Sequence, residues 1–137
     1  MVKKQKGLSK EEISAMKDYL NEINNNIKQG EKVVLEKIGK MPEPDKTMAK
    51  KVHYIITKAA PELVPRLWYG MPAYSKNEKV ICYFQNSHKF KTRYSTLGFS
   101  DKAKLDDGSM WPTVYALTKL NPTEEKKIIS LVKKAIK

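Results

Sequence analysis

Carboxylate side chains recur along the first amphipathic segment at spacings that could bind a hard cation. Glu11, Asp18 and Glu22 lie seven and four residues apart, so on a helix they share one stripe. Hard cations favour carboxylate oxygens, and a pair at i and i+4 can share one ion. Lysines at positions 10, 17 and 28 form a neighbouring stripe that would oppose a cation. The alternative interpretation is a solvated helix face with ion pairs.

A second group of residues combines aromatic rings with positive charge. Its members are Tyr69, Pro72, Tyr74, Tyr83, Lys91, Arg93, Tyr94 and Trp111. Such a set could line a pocket for an anionic or planar small molecule, or stack on the bases of single-stranded nucleic acid. Gly70 and Pro72 predict a bend that could aim neighbouring rings into one cleft. The alternative is that most of these rings fill the core.

Other residues with catalytic or metal-binding chemistry are sparse. His53 and His88 have no second histidine, cysteine or carboxylate at ligand spacing, so the sequence predicts no zinc or haem site. Cys82, the only cysteine, lies in the apolar run 80–84 and is expected to be a small buried hydrophobe. The sequence has no glycine-rich phosphate loop and no serine-centred elbow. These observations predict no catalytic residue.

Composition narrows the classes of partner and compartment. The chain has 137 residues and a formal net charge of +12, a balance that would suit a nucleic-acid binder. The charge is spread along the chain and only Arg66 and Arg93 are arginines, which favours a lysine-rich surface over nucleic acid as partner. The single cysteine, and the lack of an apolar leader or a long apolar stretch, predict a cytoplasmic protein without a membrane partner. Residues 1–8 are predicted to be a disordered basic N-terminus, and residues 9–137 a single domain.

The periodicity of apolar residues predicts the helix that carries the three carboxylates. Ser9 and Glu12 form a capping box, and apolar residues then recur at steps of three and four, at Ile13, Met16, Leu20, Ile23 and Ile27. This pattern predicts a first helix over about 10–29 that Gly30 ends, and a shorter one over about 31–38. Asp45 can cap a third helix. Asn121 and Glu124 form a second capping box that predicts the start of the last helix.

Strand patterns occupy the middle of the chain. Residues 73–76, 79–85 and 89–94 are short runs rich in aromatic or β-branched side chains, and residues 113–118 form a fourth. The short turns between them predict an antiparallel meander. In the third run, Lys89, Lys91 and Arg93 alternate with Phe90, Thr92 and Tyr94. This alternation predicts a strand with one basic and one aromatic face.

Several short sequence segments, in the order in which they occur, resemble the YdhG-like family of uncharacterised bacterial proteins. They are Ala-Pro-Glu-Leu at 60–63, Trp-Tyr-Gly-Met-Pro-Ala-Tyr at 68–74, Cys-Tyr-Phe at 82–84 and Lys-Phe-Lys at 89–91. The resemblance covers residues 44–136. It implies an α+β fold in which helices pack mainly on one face of an antiparallel meander of four to five strands. One member of the family is regarded as a frataxin-like iron chaperone, so the resemblance also implies an iron-related role.

Together these observations predict a non-catalytic binding or carrier domain. The cofactor is unknown, and iron is implied by the family resemblance alone. An alternative is a domain that binds a small anionic molecule or nucleic acid through Lys89, Lys91 and Arg93. A third interpretation is a small enzyme whose site is assembled only in three dimensions.

Overall fold

The computed structural model describes residues 9–137; the predicted disordered segment, residues 1–8, lies outside the described residues. Its elements are α1 (Lys10–Gly39), α2 (Asp45–Ala59), β1 (Val64–Trp68), β2 (Met71–Lys76), β3 (Lys79–Gln85), α3 (Ser87–Phe90), β4 (Ser95–Phe99), β5 (Val114–Leu117) and α4 (Pro122–Ala135). The five strands form one antiparallel sheet in the order β1-β2-β3-β4-β5, with the helices on one side. The predicted α+β class is therefore confirmed.

The first helix is longer than its sequence pattern predicts. Its start is confirmed, because Ser9 and Glu12 form the capping box with two hydrogen bonds of 3.1 Å each. The predicted end at Gly30 is wrong, since α1 continues without a break to Gly39. Gly30 serves a packing role instead. A Cβ atom at this position would overlap the carbonyl oxygen of Pro65, so glycine allows β1 to pass close against the helix.

The second helix begins where predicted, but Asp45 does not cap it. Pro44 is the N-cap residue and makes no side-chain cap hydrogen bond. The Glu43 carboxylate accepts hydrogen bonds from the backbone N–H and the hydroxyl of Thr47 instead. The Asp45 carboxylate is buried and accepts hydrogen bonds from Asn86, Ser87 and the backbone N–H of His88. It therefore joins the start of α2 to α3.

The segment after β3 is not the predicted strand. Residues 87–90 form the short helix α3, and Lys91 ends it in the left-handed conformation with φ of 54°. The strand that pairs with β3 on the side away from β2 is β4, further along the chain. The local alternation of basic and aromatic residues predicted a strand at 89–94. The buried Asp45 carboxylate stabilises a helical turn there instead, because it satisfies the donors at the start of α3.

The hydrophobic core lies between the inner face of the sheet and the helices. Its largest fully buried side chains include Tyr74 and Phe84 from the sheet and Ile38, Ile56 and Val132 from the helices. Burial of an aliphatic side chain of this size stabilises the fold by about 1.5–3 kcal/mol. The packing holds the C-terminal half of α1 against β1 and β2, and α4 against α2. No helix within residues 9–137 is long and apolar enough to cross a membrane; the cytoplasmic location stays a prediction.

Candidate functional site

The eight residues predicted to bind a ligand do not converge on one site. Pro72 and Tyr74 lie inside the fold, and Trp111 is half-buried in a loop, where it packs against the core. Lys91 and Arg93 are exposed after α3, and the Arg93 guanidinium lies over the ring of Tyr94. Tyr69 and Tyr83 lie against Trp68, and the Lys89 ammonium of α3 donates to the Tyr69 carbonyl oxygen over 3.4 Å. Ligand binding by these residues stays a prediction.

Tyr74 contributes to a buried chain of hydrogen bonds rather than to a pocket. Nδ1 of His53 lies 2.9 Å from the Tyr74 hydroxyl oxygen, and Nε2 lies 3.0 Å from Oε2 of Glu31. Because a carboxylate only accepts, Nε2–H donates to Glu31, and in the neutral ring Nδ1 accepts the tyrosine proton. Burial raises the pKa of Tyr74 well above its ordinary value, which keeps the hydroxyl protonated. This series of hydrogen bonds connects α1, α2 and β2.

Tyr69 and Tyr83 both contact Trp68. The ring centroids of Trp68 and Tyr69 are 4.9 Å apart, and those of Trp68 and Tyr83 are 5.3 Å apart. The strand alternation turns Tyr83 away from Cys82 and Phe84, which are buried among the helices, so Tyr83 lies on the outer face of the sheet. Its ring covers Gly98 of β4, where any side chain would overlap it.

The three carboxylates proposed to hold a metal lie on the exposed N-terminal half of α1. Glu11, Asp18 and Glu22 are all exposed. Within residues 9–137, no group of three or more His, Cys, Asp or Glu side chains is placed to hold a metal ion. Metal binding by these carboxylates stays a prediction.

Five lysines surround a cavity at one end of the sheet, here called the lysine cavity. Three segments bring them together: the β2–β3 hairpin, the loop after β4 and the C-terminal end of α4. The cavity has a volume of about 340 Å³. Its lysines are Lys76, Lys79, Lys102, Lys104 and Lys137. Ile81, Ala135 and Ile136 supply an apolar floor.

Hydrogen bonds connect the segments that line the lysine cavity. The backbone N–H of Lys104 donates to the carbonyl oxygen of Ala135 over 2.9 Å, which fixes the loop on the end of α4. The Lys76 ammonium donates to the carbonyl oxygen of Ile136 over 3.3 Å, at the helix end where cations are favoured. Ser100 binds the backbone of both Val80 and Ile81 and so anchors the loop on β3. The lysines are therefore carried by a preformed scaffold.

The charge in the lysine cavity is largely uncompensated. Lys102 lies 4.0 Å from Asp101, which is exposed to solvent. Within residues 9–137, Lys76, Lys79, Lys104 and Lys137 have no carboxylate within ion-pair distance. At a separation of 4 Å, two unit charges interact by about 1 kcal/mol in water, so several ammonium groups together attract an anion appreciably.

Sequence reasoning missed the lysine cavity. Its members come from positions 76 to 137 of a chain in which lysine is abundant throughout, so no local spacing singles them out. Only the register of the β2–β3 hairpin and the docking of α4 bring them together.

Comparisons of the chain with models of protein families, with curated proteins and with solved structures find no match. The resemblance to the YdhG-like family, and the frataxin-like fold and iron-related role that it implies, therefore stay predictions.

Proposed function

We propose that this chain is a non-catalytic binding domain for a small anionic molecule, which it holds in the lysine cavity. The observation that carries the proposal is the convergence of five lysines from three segments on one cavity of about 340 Å³. This volume lies within the range of small-molecule sites, about 300–1,000 Å³. It is too small to enclose a long nucleic-acid strand.

The lining of the lysine cavity indicates the chemistry of the ligand. Ammonium groups act as compact positive charges that bind phosphate or carboxylate oxygens. The apolar floor formed by Ile81 and Ile136 favours a ligand that also carries a carbon skeleton. Asn77 lines the cavity and offers an amide that can donate or accept a hydrogen bond. We therefore expect an organic molecule with two or more phosphate or carboxylate groups.

Isothermal titration calorimetry with pyrophosphate and with citrate tests this proposal. The first variant combines Lys79→Gln, Lys102→Gln and Lys104→Gln, three exposed lysines whose loss leaves the core unchanged. We expect about a tenfold or greater loss of affinity for at least one probe, because three attractive charges are removed. Native mass spectrometry of the purified protein would reveal a ligand that is carried through purification.

The matched control combines Lys10→Gln, Lys17→Gln and Lys28→Gln on α1, which changes the net charge equally and leaves the lysine cavity intact. Its affinity should stay within about twofold of the wild type. If neither probe binds, or if the control loses as much affinity as the cavity variant, the site is not the lysine cavity. Tighter binding of a thymidine oligonucleotide, with a steep salt dependence, would show a nucleic-acid binder instead.

A further inference from the structure

The N-terminal half of α1 carries an apolar stripe that the rest of the described chain leaves uncovered. The stripe, here called the N-terminal stripe, consists of Ile13, Met16, Leu20 and Ile23. Ile13 is 42% exposed, Met16 is 52% exposed and Leu20 is 54% exposed, whereas Ile23 at the end of the stripe is half-buried. A contiguous row of exposed apolar side chains on a helix is typical of an interaction surface.

The same helix face is buried further along α1. Val34 and Ile38 continue the stripe and are fully buried, because this half of the helix packs against β1 and α2. The repeat of three and four residues from Ile13 to Ile27 is that of a coiled-coil seam. One helix therefore presents a single apolar face, covered in its C-terminal half and uncovered in its N-terminal half.

We infer that the N-terminal stripe is covered by the same stripe of a second copy of this chain, with the two helices antiparallel. The stripe has mirror symmetry about Asp18, since Ile13 and Ile23 lie five residues on either side and Met16 and Leu20 two residues on either side. An antiparallel pair places Ile13 against Ile23 of the second copy, and Met16 against Leu20. Each contact between the two helices then joins apolar side chains from both copies. Each contact also occurs twice, with the roles of the copies exchanged, as a twofold interface requires.

Steric considerations select the antiparallel arrangement. In a parallel pair, the C-terminal half of the second helix would run along the face that carries Val34 and Ile38, which the domain's own sheet and α2 already occupy. In an antiparallel pair, that half extends past the start of the first helix and carries its domain to the opposite end. The two domains then do not collide.

The net charge of this segment opposes association far less than that of the rest of the chain would. Residues 10–28 contain three lysines and four acidic residues, whereas the whole chain carries a net charge of +12. Two copies therefore meet at a nearly neutral segment and keep their basic surfaces apart. The four stripe residues and Tyr19 from each copy would bury on the order of 1,000 Å² in total, at the lower end for a specific interface.

Sedimentation equilibrium of the full chain tests the inference. The weight-average mass should rise from the 15.8 kDa of one chain towards twice that value as concentration increases. The variant Met16→Glu/Leu20→Glu should stay at the mass of one chain, because it places charges in the seam. The control Ser14→Glu/Asn25→Glu adds the same charge on exposed positions away from the seam and should associate as the wild type does.

A single lysine distinguishes the two orientations. The antiparallel pair brings Lys17 close to Lys17 of the second copy, so Lys17→Gln should tighten association by about twofold or more. In a parallel pair, Lys17 would instead face Glu12 of the second copy, and the same change would weaken association. The inference is overturned by a wild type that remains one chain up to about 1 mM, by a control that loses association, or by weaker association of Lys17→Gln.

Discussion

Nδ1 of His53 lies 2.9 Å from the hydroxyl oxygen of Tyr74, at a point where both residues are buried. The second ring nitrogen lies 3.0 Å from the Glu31 carboxylate, whose side chain remains partly exposed. The interior of the domain therefore contains a polar connection from the sheet through α2 to α1. Within residues 9–137, no buried side-chain nitrogen or oxygen lacks a hydrogen-bond partner.

Removal of the Tyr74 hydroxyl should destabilise the domain. Tyr74→Phe leaves a buried nitrogen of His53 without a partner, which costs about 1–3 kcal/mol of unfolding free energy. Urea unfolding at neutral pH measures the loss. Tyr54→Phe is the matched control, because Tyr54 is exposed on the same helix that carries His53, and it should change stability by less than about 0.5 kcal/mol. Equal effects of the two variants would contradict a structural role for the buried hydroxyl.

Two glycines of α1 should respond in opposite ways to alanine. Gly30→Ala places a Cβ atom against the Pro65 carbonyl group and forces α1 away from β1, with an expected loss of about 3 kcal/mol or more. Gly39→Ala meets no atom within 4 Å, so it should be neutral or stabilise the helix by up to about 1 kcal/mol. Thermal or urea unfolding of both variants compares them. A stable Gly30→Ala variant would show that α1 does not pack as described.

The buried Asp45 carboxylate should contribute more to the free energy of unfolding than an exposed carboxylate does. Asp45→Ala leaves Asn86, Ser87 and the backbone N–H of His88 without their acceptor, and we expect a loss of about 2–4 kcal/mol. Asp45→Asn retains one acceptor oxygen and should lose less. Asp101→Ala removes an exposed carboxylate and should change stability by less than about 0.5 kcal/mol. Denaturant unfolding orders the three variants, and any other order would contradict the role of Asp45.

Alkaline pH should weaken the fold through Cys82. Burial raises the pKa of its thiol from 9.0 to about 12. Above pH 9 the unfolded chain loses this proton while the folded chain keeps it. The contribution of the thiol to the free energy of unfolding is therefore fully present below pH 9 and is lost as the pH rises towards 12. The loss through this group reaches about 2 kcal/mol at pH 10.5.

Urea unfolding of the wild type and of Cys82→Ala at pH 8 and pH 10.5 isolates this effect. Cys82→Ala loses packing contacts, which lowers its free energy of unfolding at both pH values. Between pH 8 and pH 10.5, however, its free energy of unfolding should fall by about 2 kcal/mol less than that of the wild type. Identical losses would show that the thiol is accessible to solvent in the folded protein.

The outcome of the sequence interpretation depended on how far apart the deciding residues lie. The starts of α1 and α4 are confirmed because Ser9 with Glu12, and Asn121 with Glu124, decide them within one helical turn. The role of Gly30 was misread because Pro65, the residue that requires it, lies 35 positions further along the chain. The helix at 87–90 was missed because its stabilising acceptor, Asp45, precedes it by about forty residues.

The residues predicted to bind a ligand are separated in the structure for the same physical reason. The aromatic residues were grouped by composition, but strand alternation turns Tyr74 inward and Tyr83 outward. The lysine cavity depends on Lys76, Lys104 and Lys137, which are brought together only by the closing of the hairpin, the loop and α4. No property of these three residues alone separates them from the other lysines of the chain.

The order of the strands carries a kinetic consequence. Each strand pairs with its neighbour in sequence, and the β2–β3 turn needs only Asn77 and Glu78, both at positive φ. Contacts of short range cost little loop-closure entropy before they form, so proteins rich in them reach the native state quickly. We therefore expect this hairpin to be organised in the folding transition state, while α1, which must find β1 from about thirty residues away, docks late and detaches first.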